Sequence, residues 1–197
     1  MLAALIAERA DVTIRDVGVN PTRTGVIDIL RGMGADIGLE NPRRFGEEPV
    51  ADLRVRSSAL TGGTVDPGLV SLAIDEFPVL FVAAAAASGS TVFTGIGELR
   101  VKESDRIAAM ADGLRALGID VEESADGAVV HGGRFRGGTV ESRGDHRIAM
   151  ALAVAATIAD GPVNVRDVDA VDTSFPGFPS CLASLGVGIR VGEDEAA

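Results

Sequence analysis

Two stretches of this chain are apolar on every side of a helix, and that narrows the folds open to it. Phe77 to Ser88 reads FPVLFVAAAAAS, and Ile148 to Ala159 reads IAMALAVAATIA. Neither carries a charge, and both are shorter than a bilayer crossing requires. A helix that is apolar all round has to be buried all round. Strands and amphipathic helices must then surround these two. That describes an α/β domain with helices in its middle. In ordinary βαβ folds it is the strands that are continuously apolar.

Both apolar runs sit in the same context. GGTV occupies 62–65 and occurs again at 137–140. After each comes a loop and an acidic residue, Asp75 before the first run and Asp145 before the second. A Gly and a strand-like stretch follow each run. The next part of the unit recurs at 12–37, 91–121 and 163–191. Each copy reads as a strand, a polar loop, an amphipathic helix ending in Met-Gly or Leu-Gly, and another strand. Ile107, Met110, Ala111, Leu114 and Leu117 share one helix face, as do Phe178, Cys181, Leu182 and Leu185. That spacing predicts core positions, Cys181 included. Gly34, Gly118 and Gly186 stand where helix C-caps belong. Arg54 and Arg56 alternate with Val55 as on the solvated face of a strand. NPRRFGEEP (41–49) is the most loop-like stretch, and the tail GEDEAA is expected to fray.

The chain thus holds three second halves of the unit and two first halves. Its opening, LAALIAERADVTI, matches the tail of an apolar helix entering its strand. The chain is therefore expected to begin inside a repeat. A divergent terminal cap over residues 1–10 is the alternative.

Composition excludes some functions. Net charge is −11, which argues against nucleic acid or an anionic membrane as a partner for the whole surface. One cysteine excludes an internal disulfide, so a reducing, cytoplasmic compartment is expected. Two histidines make a His-rich metal centre an unpromising reading.

Charge is concentrated in GELRVKESDRIAAM (97–110). A strand-like run, Leu99 to Val101, breaks into Lys102, Glu103, Ser104, Asp105 and Arg106, and a helical pattern follows. Asn20-Pro21-Thr22-Arg23 holds the same place in the preceding copy. If the repeats are related by rotation, the helix N-termini gather at one end, where free N–H groups and the macrodipole attract anions. Lys102, Arg106 and Arg147 would complete a phosphate or carboxylate site. Structural roles compete at each position. Asp75, Asp145, Ser104 and Asp105 suit helix caps. Glu103 and Arg106 suit a surface i,i+3 pair worth a few tenths of a kcal/mol. His146 suits a structural hydrogen bonder as well as a catalyst.

LRVKESDR, GDHRIAMA and the TSFP segment, in this order, resemble the 5-enolpyruvylshikimate-3-phosphate synthases. IDEFP and NPTRTG fit the same family, closest to the bacterial subgroup often called class II. The resemblance covers essentially the whole chain but only the second half of such an enzyme. It implies an enolpyruvyl transferase-like inside-out α/β barrel domain, built from βαβαββ repeats with buried parallel helices. Residues 1–197 would be most of the C-terminal domain of a two-domain enzyme, and the absent N-terminal domain would be its partner across the cleft. The implied reaction moves the enolpyruvyl group of phosphoenolpyruvate to the 5-hydroxyl of shikimate 3-phosphate, on the route to chorismate and the aromatic amino acids. It needs no metal or organic cofactor. The chain alone is expected to be inactive, since half of the site is missing.

By motif, the resemblance assigns Asp75 to the shikimate hydroxyls and to the base. It makes Glu103 the acid–base group at the methylene carbon, and Lys102, Arg106 and Arg147 the phosphoenolpyruvate ligands. Many relatives place a Lys just before the TFP-like segment, where this chain has Thr173. That leaves one phosphoenolpyruvate cation unaccounted for. The related UDP-N-acetylglucosamine enolpyruvyl transferases, which usually carry a reactive Cys in a mobile loop, are a second reading. A non-catalytic repeat scaffold is a third.

Overall fold

The computed structural model describes residues 1–192; residues 193–197, most of the tail expected to fray, lie outside the described part. Two copies of one unit organise the first two-thirds. The first copy comprises β1 (Asp11–Gly18), α2 (Gly25–Gly32) and the hairpin of β2 (Asp36–Phe45) and β3 (Glu48–Arg56). It is preceded by the short helix α1 (Leu2–Ile6), whose Leu2 and Leu5 are buried. The second copy comprises β4 (Ser90–Thr94), α5 (Arg106–Ala116) and the hairpin of β5 (Val121–Ser124) and β6 (Gly127–His131). In both, the last strand inserts between the other two, giving the antiparallel orders β1-β3-β2 and β4-β6-β5.

The third unit is different. β7 (Gly138–Glu141) pairs in parallel with β8 (Val163–Arg166), and among the described residues this sheet has two strands. Two short helices follow, α7 (Ala170–Ser174) and α8 (Phe178–Ser184). Residues 187–191, expected to form a strand, do not form one. In the other units the strand after the helix is held by a central strand, the equivalent of β3 or β6, and here no described segment supplies it. The same loss overturns the core reading of Cys181, which is exposed. Of its predicted apolar face only Leu182 is buried. Leu185 is 58% exposed.

The first apolar run forms α4 (Phe77–Ala86), which packs against α1, α2, α5 and α6. Leu80 through Ala85 are each no more than 1% exposed. Phe81 stacks on Phe93 with ring centroids 5.1 Å apart. Together with α3 (Val70–Ala73) and two 3₁₀ turns, α4 belongs to a helical run, Pro67–Ala86, that is long and apolar enough by length and composition to cross a membrane. The run is interrupted by the 3₁₀ turn Ile74–Glu76, which carries two carboxylates, and protein covers its apolar half. The second apolar run forms α6 (His146–Ala156). Ile148, Leu152 and Ala155 are fully buried, but Met150 and Ala153 are only half-buried, because the smaller third unit covers this helix less completely.

Repeated residues do repeated jobs. Gly34, Gly118 and Gly186 adopt φ of 94°, 87° and 89°. The next N–H in each case bonds back to the carbonyl of Leu30, Leu114 or Leu182, closing the helix with a 6→1 bond. Asp16, Gly95 and Asp167 hold one further equivalent position, all left-handed (φ 57°, 75° and 59°): Asp16 at a register shift within β1, Gly95 and Asp167 just after β4 and β8. What the two GGTV copies share is a close backbone approach at the first glycine of the Gly-Gly pair. The second copy forms β7, but the first makes only two isolated parallel bridges, Thr61 to Ser88 and Thr64 to Val92. A Cβ on Gly62 would lie 2.4 Å from the Ser90 carbonyl oxygen, and one on Gly137 2.7 Å from that of Pro162.

Two local expectations fail. Residues 41–49 are not a loop, since β2 runs to Phe45 and β3 starts at Glu48. Their polar side chains tie strands together: the Asp52 carboxylate accepts from Asn41 Nδ2 (3.0 Å), Arg43 Nη2 (2.7 Å) and the Asp16 N–H (3.0 Å). Residues 99–101 are not strand but part of a 3₁₀ helix, Gly97–Val101. Asp126 fixes its entry by accepting from the Gly95 and Gly97 N–H groups. Arg54 and Arg56 do stand on the solvated face, bonded to Asp11 and Asp36 respectively, with Val55 buried beneath.

Candidate active site

The starts of α4, α5 and α6 meet at one end of the molecule, and their charges interlock. Asp145 is the N-cap of α6: Oδ1 accepts from the Arg147 N–H at 2.9 Å. Its Oδ2 accepts from Arg106 Nε at 2.8 Å and from the Ser104 hydroxyl at 3.0 Å. Asp145 is fully buried, and Arg106, the first residue of α5, is 1% exposed. The two remaining nitrogens of that guanidinium face Asp75 Oδ1 (3.5 Å) and Glu103 Oε2. Arg147 donates from Nη1 to the Asp75 carbonyl (3.0 Å) and from Nη2 to its Oδ2 (3.2 Å).

This arrangement decides between the competing roles of each residue. Asp145 is a cap and also the partner of a buried guanidinium. Asp75 caps nothing: it sits in the turn before α4, whose N-cap Glu76 makes no side-chain bond either. Its carboxylate is free to face the two arginines. Ser104, expected as a cap, instead donates to Asp145, while Asp105 is the cap of α5 through the Ala108 N–H (3.0 Å). Glu103 and Arg106 are paired as i,i+3 neighbours, but the arginine is buried, so this is no solvated surface pair. Lys102 pairs with Glu98. His146 is half-buried, and its ring has no hydrogen-bond partner among the described residues. The Thr173 hydroxyl is used locally, donating to the Ala170 carbonyl.

Burial grades from floor to mouth. Asp145 and Arg106 form the floor, Arg147 and Asp75 are about one-third exposed, and Glu103 is 57% exposed. Burial disfavours the Asp145 anion, but the bonds from Arg106, the Arg147 N–H and Ser104 outweigh it and hold the carboxyl below its usual range. Burial pushes the neighbouring Glu76 up, aided by Asp75 and opposed by Arg147 and Arg23. Sequence reasoning missed the role of Asp145 as holder of Arg106 and of Glu98 as partner of Lys102. The i,i+4 spacing of Glu98 and Lys102 was a usable signal. Nothing local signalled the contact between Asp145 and Arg106, 39 residues apart.

Two guanidiniums over a buried carboxylate, with two more carboxylates at the mouth, suit a small dianion and proton transfer beside it. The comparisons agree with that description. Residues 1–182 match the family profile of EPSP synthase (3-phosphoshikimate 1-carboxyvinyltransferase), and the chain belongs to that family. It is 58% identical over 191 residues to the 3-phosphoshikimate 1-carboxyvinyltransferase of Methylococcus capsulatus, covering 97% of this chain and 44% of the relative. It is 56% identical to that of Acidithiobacillus ferrooxidans, with the same coverage. An EPSP synthase structure from Acinetobacter baumannii superposes with a TM-score of 0.95 at 48% identity, covering 98% of this chain and 45% of that one. The enolpyruvyl transferase NikO from Streptomyces tendae shares the fold, with a TM-score of 0.71 at 19% identity over 96% of this chain and 42% of its own. The inside-out α/β architecture with buried helices is thus the fold of this family. The chain spans less than half the length of the curated relatives it matches.

Proposed function

We propose that residues 1–197 are most of the C-terminal domain of a two-domain enolpyruvyl transferase. In that reading the chain supplies half of the site that moves the enolpyruvyl group of phosphoenolpyruvate to the 5-hydroxyl of shikimate 3-phosphate. The observation that carries the reading is the convergence of Asp75, Glu103, Arg106 and Arg147 on the buried Asp145. A scaffold gives no reason to bury a guanidinium among three carboxylates. The single thiol, Cys181, takes part in none of these contacts, which weighs against the UDP-N-acetylglucosamine transferase reading.

The chemistry assigns the groups. The hydroxyl oxygen adds to C2 of phosphoenolpyruvate while its methylene carbon gains a proton. The tetrahedral intermediate then loses phosphate and a methyl proton. Asp75 takes the hydroxyl proton, and Glu103, at the exposed mouth, gives the methylene proton and takes it back. Arg106 and Arg147 hold the phosphate and carboxylate, with Lys102 at the rim. No metal or organic cofactor has a step in this scheme. The partner is the N-terminal domain of the same enzyme, consistent with a third sheet that has, among the described residues, two strands where the others have three. A cytoplasmic location, with no nucleic acid or membrane partner, goes with the reading.

Phosphate release from phosphoenolpyruvate plus shikimate 3-phosphate tests it. The chain alone should be silent, and mixing it with the N-terminal half of a relative should give turnover. Glu103→Gln in the mixture should lower turnover about 10²–10⁴-fold. Turnover by the chain alone would overturn the half-site reading.

A further inference from the structure

The cluster at the helix starts is already neutralised from within. Each nitrogen of the Arg106 guanidinium faces a carboxylate: Nε faces Asp145, Nη1 faces Asp75 and Nη2 faces Glu103. With 1% of its side chain exposed, Arg106 offers no free edge to an arriving anion. Arg147 is likewise turned onto Asp75, through both carbonyl and carboxylate. Two guanidiniums are set against three carboxylates. The nearby Arg23 and Glu76, and the Lys102–Glu98 pair, leave that balance unchanged. A dianion cannot be drawn into such a site by simple attraction. It has to replace a resident carboxylate, and Glu103, the most exposed of the three, is the one that can swing into solvent.

We infer that Glu103 is an internal competitor for the anion-binding guanidinium of Arg106, so that donor binding and release of Glu103 for proton transfer are one event. The inference rests on the enolpyruvyl reading for the identity of the donor. The competition itself rests only on the geometry. While it is paired with Arg106, Glu103 is spent as a counter-ion. When a phosphate or carboxylate takes its place on Arg106, the freed carboxyl lies beside the bound anion, where proton transfer is needed. A catalytic group is thereby kept out of action until the donor arrives. Asp145 remains on Nε throughout, because it is buried and also held by Ser104 and the Arg147 N–H.

The consequence runs against the usual effect of deleting a site residue. Removing the Glu103 charge should lower turnover in the mixture and yet tighten anion binding. The test titrates inorganic phosphate, and separately phosphoenolpyruvate, into the full chain, following the Arg106 and Arg147 side-chain N–H signals by NMR. Glu103→Ala and Glu103→Gln should each bind phosphate about threefold to tenfold more tightly than the unmodified chain, the worth of a modest ion pair. In either variant Arg106 keeps Asp145 and Asp75 as counter-ions, and circular dichroism checks that the chain is folded. Glu122→Gln removes an equal charge from an exposed residue on β5, paired with His131, and should shift the affinity less than about twofold. Equal or weaker phosphate binding in both Glu103 variants, no binding by any of the chains, or the same tightening in the control would each overturn the inference. Tightening without turnover, even when the unmodified chain is mixed with an N-terminal half, would remove the enolpyruvyl reading and leave the competition standing. Loss of turnover without tightening would do the reverse.

Discussion

Replacing Asp145 by Asn tests the floor of the site directly. The side chain keeps its shape, and its carbonyl oxygen can still cap α6 through the Arg147 N–H, since Asn is as good a cap as Asp. What is lost is the charge facing Arg106 Nε at 2.8 Å, in a pair that is 0% and 1% exposed. Arg106 then keeps only the more exposed Asp75 and Glu103 as counter-ions, and losing its one fully buried partner costs about 3 kcal/mol, a large share of the roughly 5–15 kcal/mol that holds a domain together. Asp145→Ala also removes the cap and should cost about 1 kcal/mol more. Arg106→Met together with Asp145→Asn should recover part of the loss, because no unpaired charge stays buried. Urea denaturation followed by circular dichroism measures all four chains. The pH dependence supplies a second reading. The folded-state value of Asp145 lies below its unfolded one. Its stabilisation is therefore complete above the unfolded value near 3.9 and fades as pH falls through the lower, folded value. The gap between the unmodified chain and Asp145→Asn should stay constant from about pH 7 to 5 and close below about pH 4. A cost under about 1 kcal/mol at neutral pH, or a gap that does not close in acid, would refute the claim that Asp145 holds Arg106 as an ion pair.

Three further outcomes follow from particular residues. Thr91 is fully buried in β4, and its hydroxyl has no hydrogen-bond partner among the described residues, so Thr91→Val should raise the urea midpoint and add about 1 kcal/mol. A Cβ at Gly132 would lie 1.7 Å from the Ala87 carbonyl oxygen, so Gly132→Ala should displace backbone and cost about 3 kcal/mol or more in the same assay. Cys181 is exposed, so a thiol reagent should label the native chain at the rate it labels the urea-unfolded chain to within about tenfold, whereas a core thiol would be protected by the unfolding equilibrium.

Much of the fold was legible because its signals are short-range. The burial of α4 follows from a run of residues with no polar face. The three helix ends follow from a glycine after each helix, and the face of α5 from one spacing repeated over three turns. Where the reading failed, a distant partner decided the outcome. Residues 41–49 look like a loop because Asn, Pro and Arg are turn and surface residues, yet Asp52 on the neighbouring strand uses those polar groups to bind strand to strand. Leu99 to Val101 alternate like a strand, but Asp126, across a turn, winds them into a 3₁₀ helix. Cys181 and Leu185 have the spacing of a buried face, and the described residues supply no sheet for that face to cover. For the site, the residue types and their positions at helix starts were visible, and Asp75, Glu103, Arg106 and Arg147 do come together. Lys102 was grouped with them by its place at the start of the same helix, and in the structure it pairs with Glu98.

By itself the sequence determined the repeated unit, the buried central helices and which ends of the helices carry charge. Each of these depends on periodicity or capping within a single segment. Only the tertiary structure decided which charges are buried and which oppose which. The cost of a buried charge and the attraction that offsets it depend on distance and on exclusion of water. For Arg106 both are set by three segments that meet only in the folded chain, at residues 75, 103–106 and 145–147.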